Sequence, residues 1–361
     1  MTRTQRRTRA IALTLGLSLA LAACGGTTQD SVEDEPDTGA DQTQDAGDDA
    51  TTGDGEFAEG LAITMLPKSV NNPYFETSSE GAEAVVTELG GTYEYTGPSD
   101  ASASSQVSYI NTLSQQGVDA ILLSANDPNA LCSSLDQASA GGAAIVTFDS
   151  DVDPSCRDLF VSQVDGEEVG RTLIEMAAEQ AGGEGQIAVL SATANAANQN
   201  AWIAVMEEEL ANNPDYADLE LVAIAYGDDE DEKSFAETQG LLQANPDLKV
   251  IVAPTTVGIL AAARYVQGSD YDVAVTGLGT PNDMREYVKD GTVTEFALWD
   301  PGALGELAAW TAAALASGII SGEGDTFTAG ELGEYTVGTD GVVILGPPTR
   351  FNAENIDDFN F

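Results

Sequence analysis

Polar and aromatic side chains cluster at the points where apolar runs of this sequence end. Carboxylates, amides, hydroxyls and one lysine recur there, with aromatic residues beside them. Planar amides and carboxylates bridge neighbouring hydroxyl groups, and aromatic rings cover the apolar faces of ring-shaped molecules. This combination favours a small polyhydroxylated ligand. The candidate ligand-binding residues are Lys68, Asn72, Tyr74, Phe75, Asp149, Asp151, Asn198, Gln199, Pro254, Thr255, Thr256, Thr280 and Asp300.

Several of these residues also have a purely structural interpretation. Asn72 precedes a proline and could cap a helix, whereas Asp149 and Asp151 could be turn residues. Asn198 and Gln199 could form a helix cap and a solvated first turn. The sequence alone leaves both interpretations open.

Three further features favour structural roles. Trp202 is typical of a core residue, and Arg157 is expected to pair with a neighbouring acid. The run Asp228–Glu232 resembles a metal-chelating cluster, but an acidic helix start is the favoured interpretation. We therefore predict neither a metal nor a cofactor.

Short apolar runs alternate with amphipathic stretches from Gly60 onward, which predicts an α/β fold with parallel sheets covered on both faces. We favour two sheets that divide near Val164–Glu167. Strands are predicted at Leu61–Leu66, Thr92–Tyr95, Ala120–Leu123, Ala144–Thr147, Gln186–Leu190, Leu219–Ile224, Val250–Val252, Val273–Thr276 and Thr294–Leu298. Helices are predicted at Phe75–Leu89, Gln106–Gln115, Pro128–Ala140, Glu168–Ala181, Gln199–Leu210, Ser234–Ala244, Val257–Tyr265 and Pro281–Lys289. Ligands of open α/β sheets bind at the carboxyl ends of the strands, where the candidate residues fall.

The composition excludes whole classes of function. The chain has 60 acidic and 13 basic residues, a formal net charge of −47, and no histidine. A field of this sign repels nucleic acid, so we expect no nucleic-acid partner. Histidine-based triads and metal sites are impossible. We expect no enzymatic activity; the best pair of carboxylates for glycoside hydrolysis would be Asp149 with Asp300.

The first 56 residues have the pattern of an export signal and a tether. Residues 1–23 combine a basic start with an apolar run that is too short to span a membrane. They end in Leu-Ala-Ala before Cys24, which resembles a bacterial lipobox and predicts a lipidated Cys24. Residues 24–56 are acidic, with 11 acids and no base after the cysteine, and cannot bury a core. We therefore expect an extracytoplasmic protein, anchored by lipid to the outer face of the cell membrane.

The remaining cysteines are Cys132 and Cys156. An even pair in an exported protein favours a disulfide, and two buried free thiols are the alternative.

From about Leu61 to Phe361, the chain resembles periplasmic sugar-binding proteins of the ribose-binding type (type I periplasmic binding proteins). Within these it is most similar to the rhamnose-binding and autoinducer-2-binding receptors of ABC importers. The resemblance is carried by Pro67–Phe75, Phe148–Asp151, Asn198–Trp202, Thr280–Arg285, Gly291–Asp300 and the closing segment Phe351–Ile356.

The resemblance implies two Rossmann-like lobes joined by a three-segment hinge. The N-terminal lobe would comprise residues 57–163 and 295–340, and the C-terminal lobe residues 164–294 and 341–361. It also implies a monomer that holds a monosaccharide between its closing lobes and delivers it to an ABC permease with a cytoplasmic ATPase. A membrane sensor for signalling is an alternative partner.

The resemblance points to two candidate ligands. The pattern of autoinducer-2 receptors is matched at Lys68, Asp149, Gln199 and Pro254, but two acidic positions of that pattern are not acidic here. The segments Asn198–Trp202, Tyr226–Asp229 and Pro254–Gly258 look more like the rhamnose-binding branch. We therefore expect L-rhamnose, with autoinducer-2 as the alternative. The methyl group of rhamnose would contact Tyr74, Phe75 or Trp299.

Overall fold

A computed structural model describes residues 55–361. The predicted signal peptide 1–23, the lipidation of Cys24 and most of the tether 24–56 lie outside these residues. Within the described part, no helix combines the length and the apolar character that crossing a bilayer requires.

Strands and helices alternate along most of the described chain. The strands are β1 Ala62–Leu66, β2 Thr92–Tyr95, β3 Ala120–Leu123, β4 Ala144–Phe148, β5 Leu159–Ser162, β6 Gly185–Ser191, β7 Leu219–Tyr226, β8 Leu248–Ala253, β9 Ala274–Gly277, β10 Glu295–Leu298, β11 Thr326–Thr328, β12 Glu334–Thr336, β13 Val342–Ile344 and β14 Thr349–Asn352. The helices are α1 Pro73–Glu88, α2 Ala103–Gln116, α3 Cys132–Ala140, α4 Gly166–Ala181, α5 Ala197–Asn212, α6 Asp231–Ala244, α7 Thr256–Gln267, α8 Pro281–Lys289 and α9 Pro301–Ala316.

Two parallel sheets form two lobes, which confirms the predicted fold class. The first has the strand order β13-β5-β4-β3-β1-β2, and the second has the order β7-β6-β8-β9. An antiparallel pair of β10 and β14 adjoins the second sheet through a bridge between Leu278 and Ala297. Each sheet reverses its strand order beside its first strand, β1 or β6. Binding crevices form at such a switch point, outside the carboxyl ends of the strands.

Helices cover both faces of each sheet. In the first lobe α1 and α9 pack on one face, and α2 and α3 pack on the other. In the second lobe α4 packs with α5, and α6 packs with α7. Strands buried on both faces read as continuous apolar runs, and all four residues of β3 are buried.

The chain crosses between the lobes three times. It first leaves β5 for α4, close to the predicted division at residues 163 and 164. Two other expected boundaries need correction. β10 pairs with β14 beside the second sheet, so the second crossing follows Leu298 rather than residue 294. β13 pairs with β5 in the first sheet, so the third crossing follows Ile344 rather than residue 340.

Helix α9 and strand β5 are not among the predicted elements. Pro301 occupies the first turn of α9, and the Asp300 side chain caps it by accepting hydrogen bonds from the backbone N–H groups of Gly302 and Ala303. Most of this alanine-rich helix is buried, so its sequence lacks the one-sided apolar pattern that marks a surface helix.

The close approach of α1 to α9 depends on two glycines. A Cβ atom at Gly305 would lie 1.8 Å from the carbonyl oxygen of Ser78, and one at Gly81 would lie 2.1 Å from that of Gly302. No side chain fits at either position without separating the helices. Because α1 begins beside the cleft, this packing fixes the direction in which its first turn enters the site.

Cys132 and Cys156 form a disulfide, as the sequence predicts. The bond joins the start of α3 to the turn that follows β4. It thus ties together two connections at the edge of the first lobe that faces the cleft.

Candidate functional site

A cavity lies between the lobes at the carboxyl ends of both sheets. It contains about 380 Å³ of space free of protein atoms, which includes solvent at its open side. The residues that line it are Lys68, Asn72, Tyr74, Phe75, Asp149, Asn198, Gln199, Trp202, Asp229, Pro254, Thr255, Thr256, Leu278, Leu298 and Trp299. The first five come from the first lobe, directly after β1 and β4, and most of the others follow strands of the second lobe.

A buried ion pair forms the polar centre of the cavity. The Nζ atom of Lys68 lies 3.5 Å from Oδ2 of Asp149, and both residues are less than 10% exposed. Ser124 Oγ donates a hydrogen bond of 2.7 Å to the same carboxylate oxygen. Asp149 has a φ of 60°, so its backbone turns sharply after β4 and directs the carboxylate toward Lys68.

Aromatic rings form an apolar wall beside this ion pair. Tyr74 and Trp202 each make an edge-to-face contact with Trp299, with ring centroids 6.2 and 6.1 Å apart. Trp299 Nε1 donates to the Tyr74 hydroxyl at 2.8 Å, and that hydroxyl donates to Asp149 Oδ1 at 3.4 Å. Burial raises the pKa of the Tyr74 phenol well above its usual value, and the negative charge of Asp149 raises this pKa further. Tyr74 therefore remains a protonated donor at neutral pH.

Two amide side chains of α5 reach the cavity from the second lobe. Asn198 Oδ1 accepts a hydrogen bond of 3.1 Å from Lys68, and its Nδ2 donates to the backbone oxygen of Asp149 at 3.3 Å. Gln199 Oε1 accepts from Ser191 Oγ and from the backbone N–H of Ala192. These bonds leave Gln199 Nε2 as the end of this amide available to a ligand.

A second link between the lobes lies at the other end of the cavity. Asn72 Nδ2 donates to Asp229 Oδ2 at 3.0 Å, and Thr255 Oγ1 donates to Asp229 Oδ1 at 2.7 Å. Asn72 is also the N-cap of α1, because its Oδ1 accepts the backbone N–H of Tyr74. The cap interpretation and the cavity position thus both hold for Asn72.

Three of the candidate residues do not line the cavity. The Asp151 carboxylate turns away and binds the Arg157 guanidinium through both oxygens, at 2.8 to 3.0 Å. Thr280 is buried and donates to Asp283 at the start of α8. Asp300 is exposed and caps α9. Because Asp300 serves α9 in this way, the proposed hydrolytic pair of Asp149 and Asp300 is not brought together in the cavity.

Several lining residues were not among the candidates. The sequence predicts a core position for Trp202 and an acidic helix start at Asp229. Leu278 and Leu298 end or follow strands of the second lobe, and Trp299 was considered only as a contact for a methyl group. Asp229 follows β7 directly, so its place after a strand was the signal that could have identified it.

Comparison with known proteins identifies relatives of most of the described region. The periplasmic binding protein domain family matches residues 63–319. A crystal structure of a sugar ABC transporter from Actinomyces odontolyticus is 54% identical, with a TM-score of 0.68, covering 83% of this chain and 98% of that one. A solute-binding protein of an ABC transporter from Clostridium phytofermentas, with bound L-rhamnose, is 36% identical with a TM-score of 0.80 over the same shares of the two chains.

A third structure, LsrB from Clostridium saccharobutylicum in complex with AI-2, is 30% identical with a TM-score of 0.79. It covers 83% of this chain and 100% of its own. The family match extends over more than half of the sequence, and the order of strands and the paired lobes agree with it. The chain therefore belongs to the periplasmic binding protein family.

Proposed function

We propose that this protein is the extracytoplasmic, lipid-anchored sugar receptor of an ABC importer and that it binds L-rhamnose or a similar monosaccharide. The main support is the convergence of hydrogen-bonding side chains from both lobes on one cavity with an aromatic wall. The similarity to a rhamnose-bound structure, at 36% identity and a TM-score of 0.80, supports the choice of ligand.

The chemistry of the cavity suits a neutral deoxy sugar. The Lys68 ammonium donates and the Asp149 carboxylate accepts, so this pair can bind two neighbouring hydroxyls through charge-assisted hydrogen bonds. Such bonds contribute roughly 1.5–3 kcal/mol each. Trp299 and the side chains of Leu278 and Leu298 provide the apolar contact that the methyl group of rhamnose requires.

Autoinducer-2 is the second candidate ligand. Lys68, Asp149, Gln199 and Pro254 match the pattern of autoinducer-2 receptors, and all four line the cavity. The similarity to LsrB in complex with AI-2 favours this alternative. The amide at Asn198 and the hydroxyls of Thr255 and Thr256 stand against it, because that pattern has an acid and a Pro-Asp-Ala segment there.

Binding energy would be converted into a signal by closure of the lobes. A sugar in this cavity contacts both lobes at once, so its binding favours the closed arrangement over the open one. A permease can distinguish the two arrangements by the relative placement of the lobe surfaces. Tethering through Cys24 would keep the receptor at high effective concentration near that permease.

Calorimetry on the purified protein tests this proposal. We expect L-rhamnose to bind more tightly than ribose, xylose and autoinducer-2 and to raise the melting temperature, because a ligand of the folded state stabilises it. Tighter binding of autoinducer-2 than of L-rhamnose would make autoinducer-2 the favoured ligand. No heat and no thermal shift with any of the four compounds would contradict the proposed function.

A further inference from the structure

Asp229 lies where three spaces of the cleft meet. It lines the main cavity, a small pocket beside Lys68 and Gln199, and an outer groove at the mouth of the cleft. Asn72 and Thr256 also line both the main cavity and the outer groove. These three side chains therefore form the partition between inside and outside.

The partition is held by hydrogen bonds between the lobes. Asn72 comes from the first lobe and donates to Asp229 of the second lobe at 3.0 Å, and Thr256 Oγ1 lies 3.5 Å from Asn72 Oδ1. The cap bond from the Tyr74 backbone fixes the Asn72 amide so that its Nδ2 faces Asp229. The bond can form only when the lobes are together.

The backbone around Asp229 fixes its position. Asp228 and Asp229 both have a φ of 55°, which makes a sharp turn after β7. The backbone N–H groups of Gly227 and Asp228 donate to the carbonyl oxygens of Ser191 and Ala192, at 2.9 and 2.8 Å. These hydrogen bonds hold the turn against the end of β6, so the position of Asp229 in the partition is fixed.

We infer that the Asn72–Asp229 hydrogen bond is a gate that limits the ligand to a single sugar ring. This inference rests on the proposed function. A second ring attached to the bound sugar would have to pass through the partition into the outer groove. The walls of that groove carry hydroxyl, amide and carboxylate groups, including Ser69, Asn71 and Asp283, which can bind sugar hydroxyls once the gate is removed.

The test replaces Asp229 and, as a matched control, its neighbour. Asp229→Gly removes the gate, and glycine adopts the φ of 55° without strain. Asp228→Gly makes the same change at the same φ, but Asp228 is exposed and pairs with Lys233 outside the cavity. The ligands for calorimetry are L-rhamnose and two disaccharides. One disaccharide has rhamnose at its reducing end and the other has it at its non-reducing end, so that both orientations of the sugar are covered.

We expect the wild-type protein and Asp228→Gly to bind L-rhamnose at least a hundredfold more tightly than either disaccharide. Asp229→Gly is expected to reduce the ratio of the disaccharide dissociation constant to the L-rhamnose dissociation constant at least tenfold for one disaccharide. The melting temperatures of the two variants check that both are folded. The gate is disproved if the wild-type protein binds a disaccharide within tenfold of L-rhamnose, or if Asp229→Gly leaves the ratio unchanged. An absence of binding by all three sugars to the wild-type protein would instead contradict the proposed ligand, and the gate with it.

Discussion

Asp149 and Asp151 differ in role although only one residue separates them. Asp149 faces the cavity with Lys68 and Ser124 as partners, whereas Asp151 faces Arg157, whose side chain is only 2% exposed. The turn at Asp149, with its φ of 60°, reverses the direction of the chain between them. We therefore expect substitutions at these two aspartates to separate ligand binding from stability.

Asp149→Asn is expected to weaken sugar binding at least tenfold, which corresponds to about 1.4 kcal/mol. The amide keeps the size of the carboxylate and tolerates a positive φ, but it loses the charge that strengthens hydrogen bonds to sugar hydroxyls. Isothermal titration calorimetry measures the effect, and Asp228→Asn, at a similar φ outside the cavity, is the control. A dissociation constant within threefold of the wild-type value would show that the Asp149 carboxylate does not contribute to sugar binding.

Asp151→Asn is expected to lower the free energy of unfolding by roughly 3 kcal/mol, because it leaves the buried Arg157 guanidinium without its carboxylate. Urea denaturation measures this loss. The double variant Asp151→Asn, Arg157→Met should be less destabilised than the sum of the single changes. Additive losses would show that the two side chains stabilise the lobe independently of each other.

Among the elements, the pair α1 and α9 has the strongest influence on the site. Helix α1 carries Asn72 as its cap and Tyr74 in its first turn, and α9 begins two residues after Trp299. The two helices touch through Gly81 and Gly305, so that their backbones, rather than long side chains, set the distance between them. The hydrogen bond from Trp299 to the Tyr74 hydroxyl keeps its length only if this distance between the helices is maintained.

Gly305→Ala is expected to destabilise the protein by about 1–3 kcal/mol, since the added methyl group would overlap the carbonyl oxygen of Ser78. Gly240→Ala is the matched control, because Gly240 lies in α6 with nothing within 4 Å of an added Cβ. That change should stabilise the helix by up to about 1 kcal/mol. Equal effects of the two substitutions in thermal unfolding would show that the close contact between α1 and α9 does not matter for stability.

The whole molecule carries a very large negative charge. With 60 acidic and 13 basic residues, the folded state repels itself at low ionic strength. Several of the few bases are engaged in local ion pairs, such as that of Arg350 with Glu175, Glu179 and Glu295 beside the crossing segments β10 and β14. These pairs neutralise only a small part of the 60 acidic residues.

Raising the sodium chloride concentration from about 0.01 M to about 1 M shortens the Debye length from about 30 Å to about 3 Å. We expect this to raise the melting temperature by several degrees, because it screens the repulsion between acidic side chains. Choline chloride should act similarly, since screening does not depend on the identity of the cation. A constant or falling melting temperature in both salts would show that self-repulsion does not limit stability. The dissociation constant for a neutral sugar at high salt should stay within threefold of its value at low salt.

The sequence by itself determined the alternation of strands and helices, and it favoured a division into two sheets and a bond between Cys132 and Cys156. These features follow from local apolar patterns and from a count of cysteines, so no distant contact is needed to infer them. The same patterns placed Lys68 and Asp149 after strands and Asn198 in the connection that follows a strand, at the edge where the cavity lies.

Only the tertiary structure decided which of the polar residues after strands face the cavity. Asp151 and Asp300 have suitable chemistry and position. However, the Asp151 carboxylate forms an ion pair with Arg157, and the Asp300 carboxylate caps the start of α9. Asp229 enters the site through a hydrogen bond to Asn72, 157 residues away and on the other lobe. Side-chain direction depends on backbone turns and on partners distant in the chain, and neither is encoded in the local pattern of residue types.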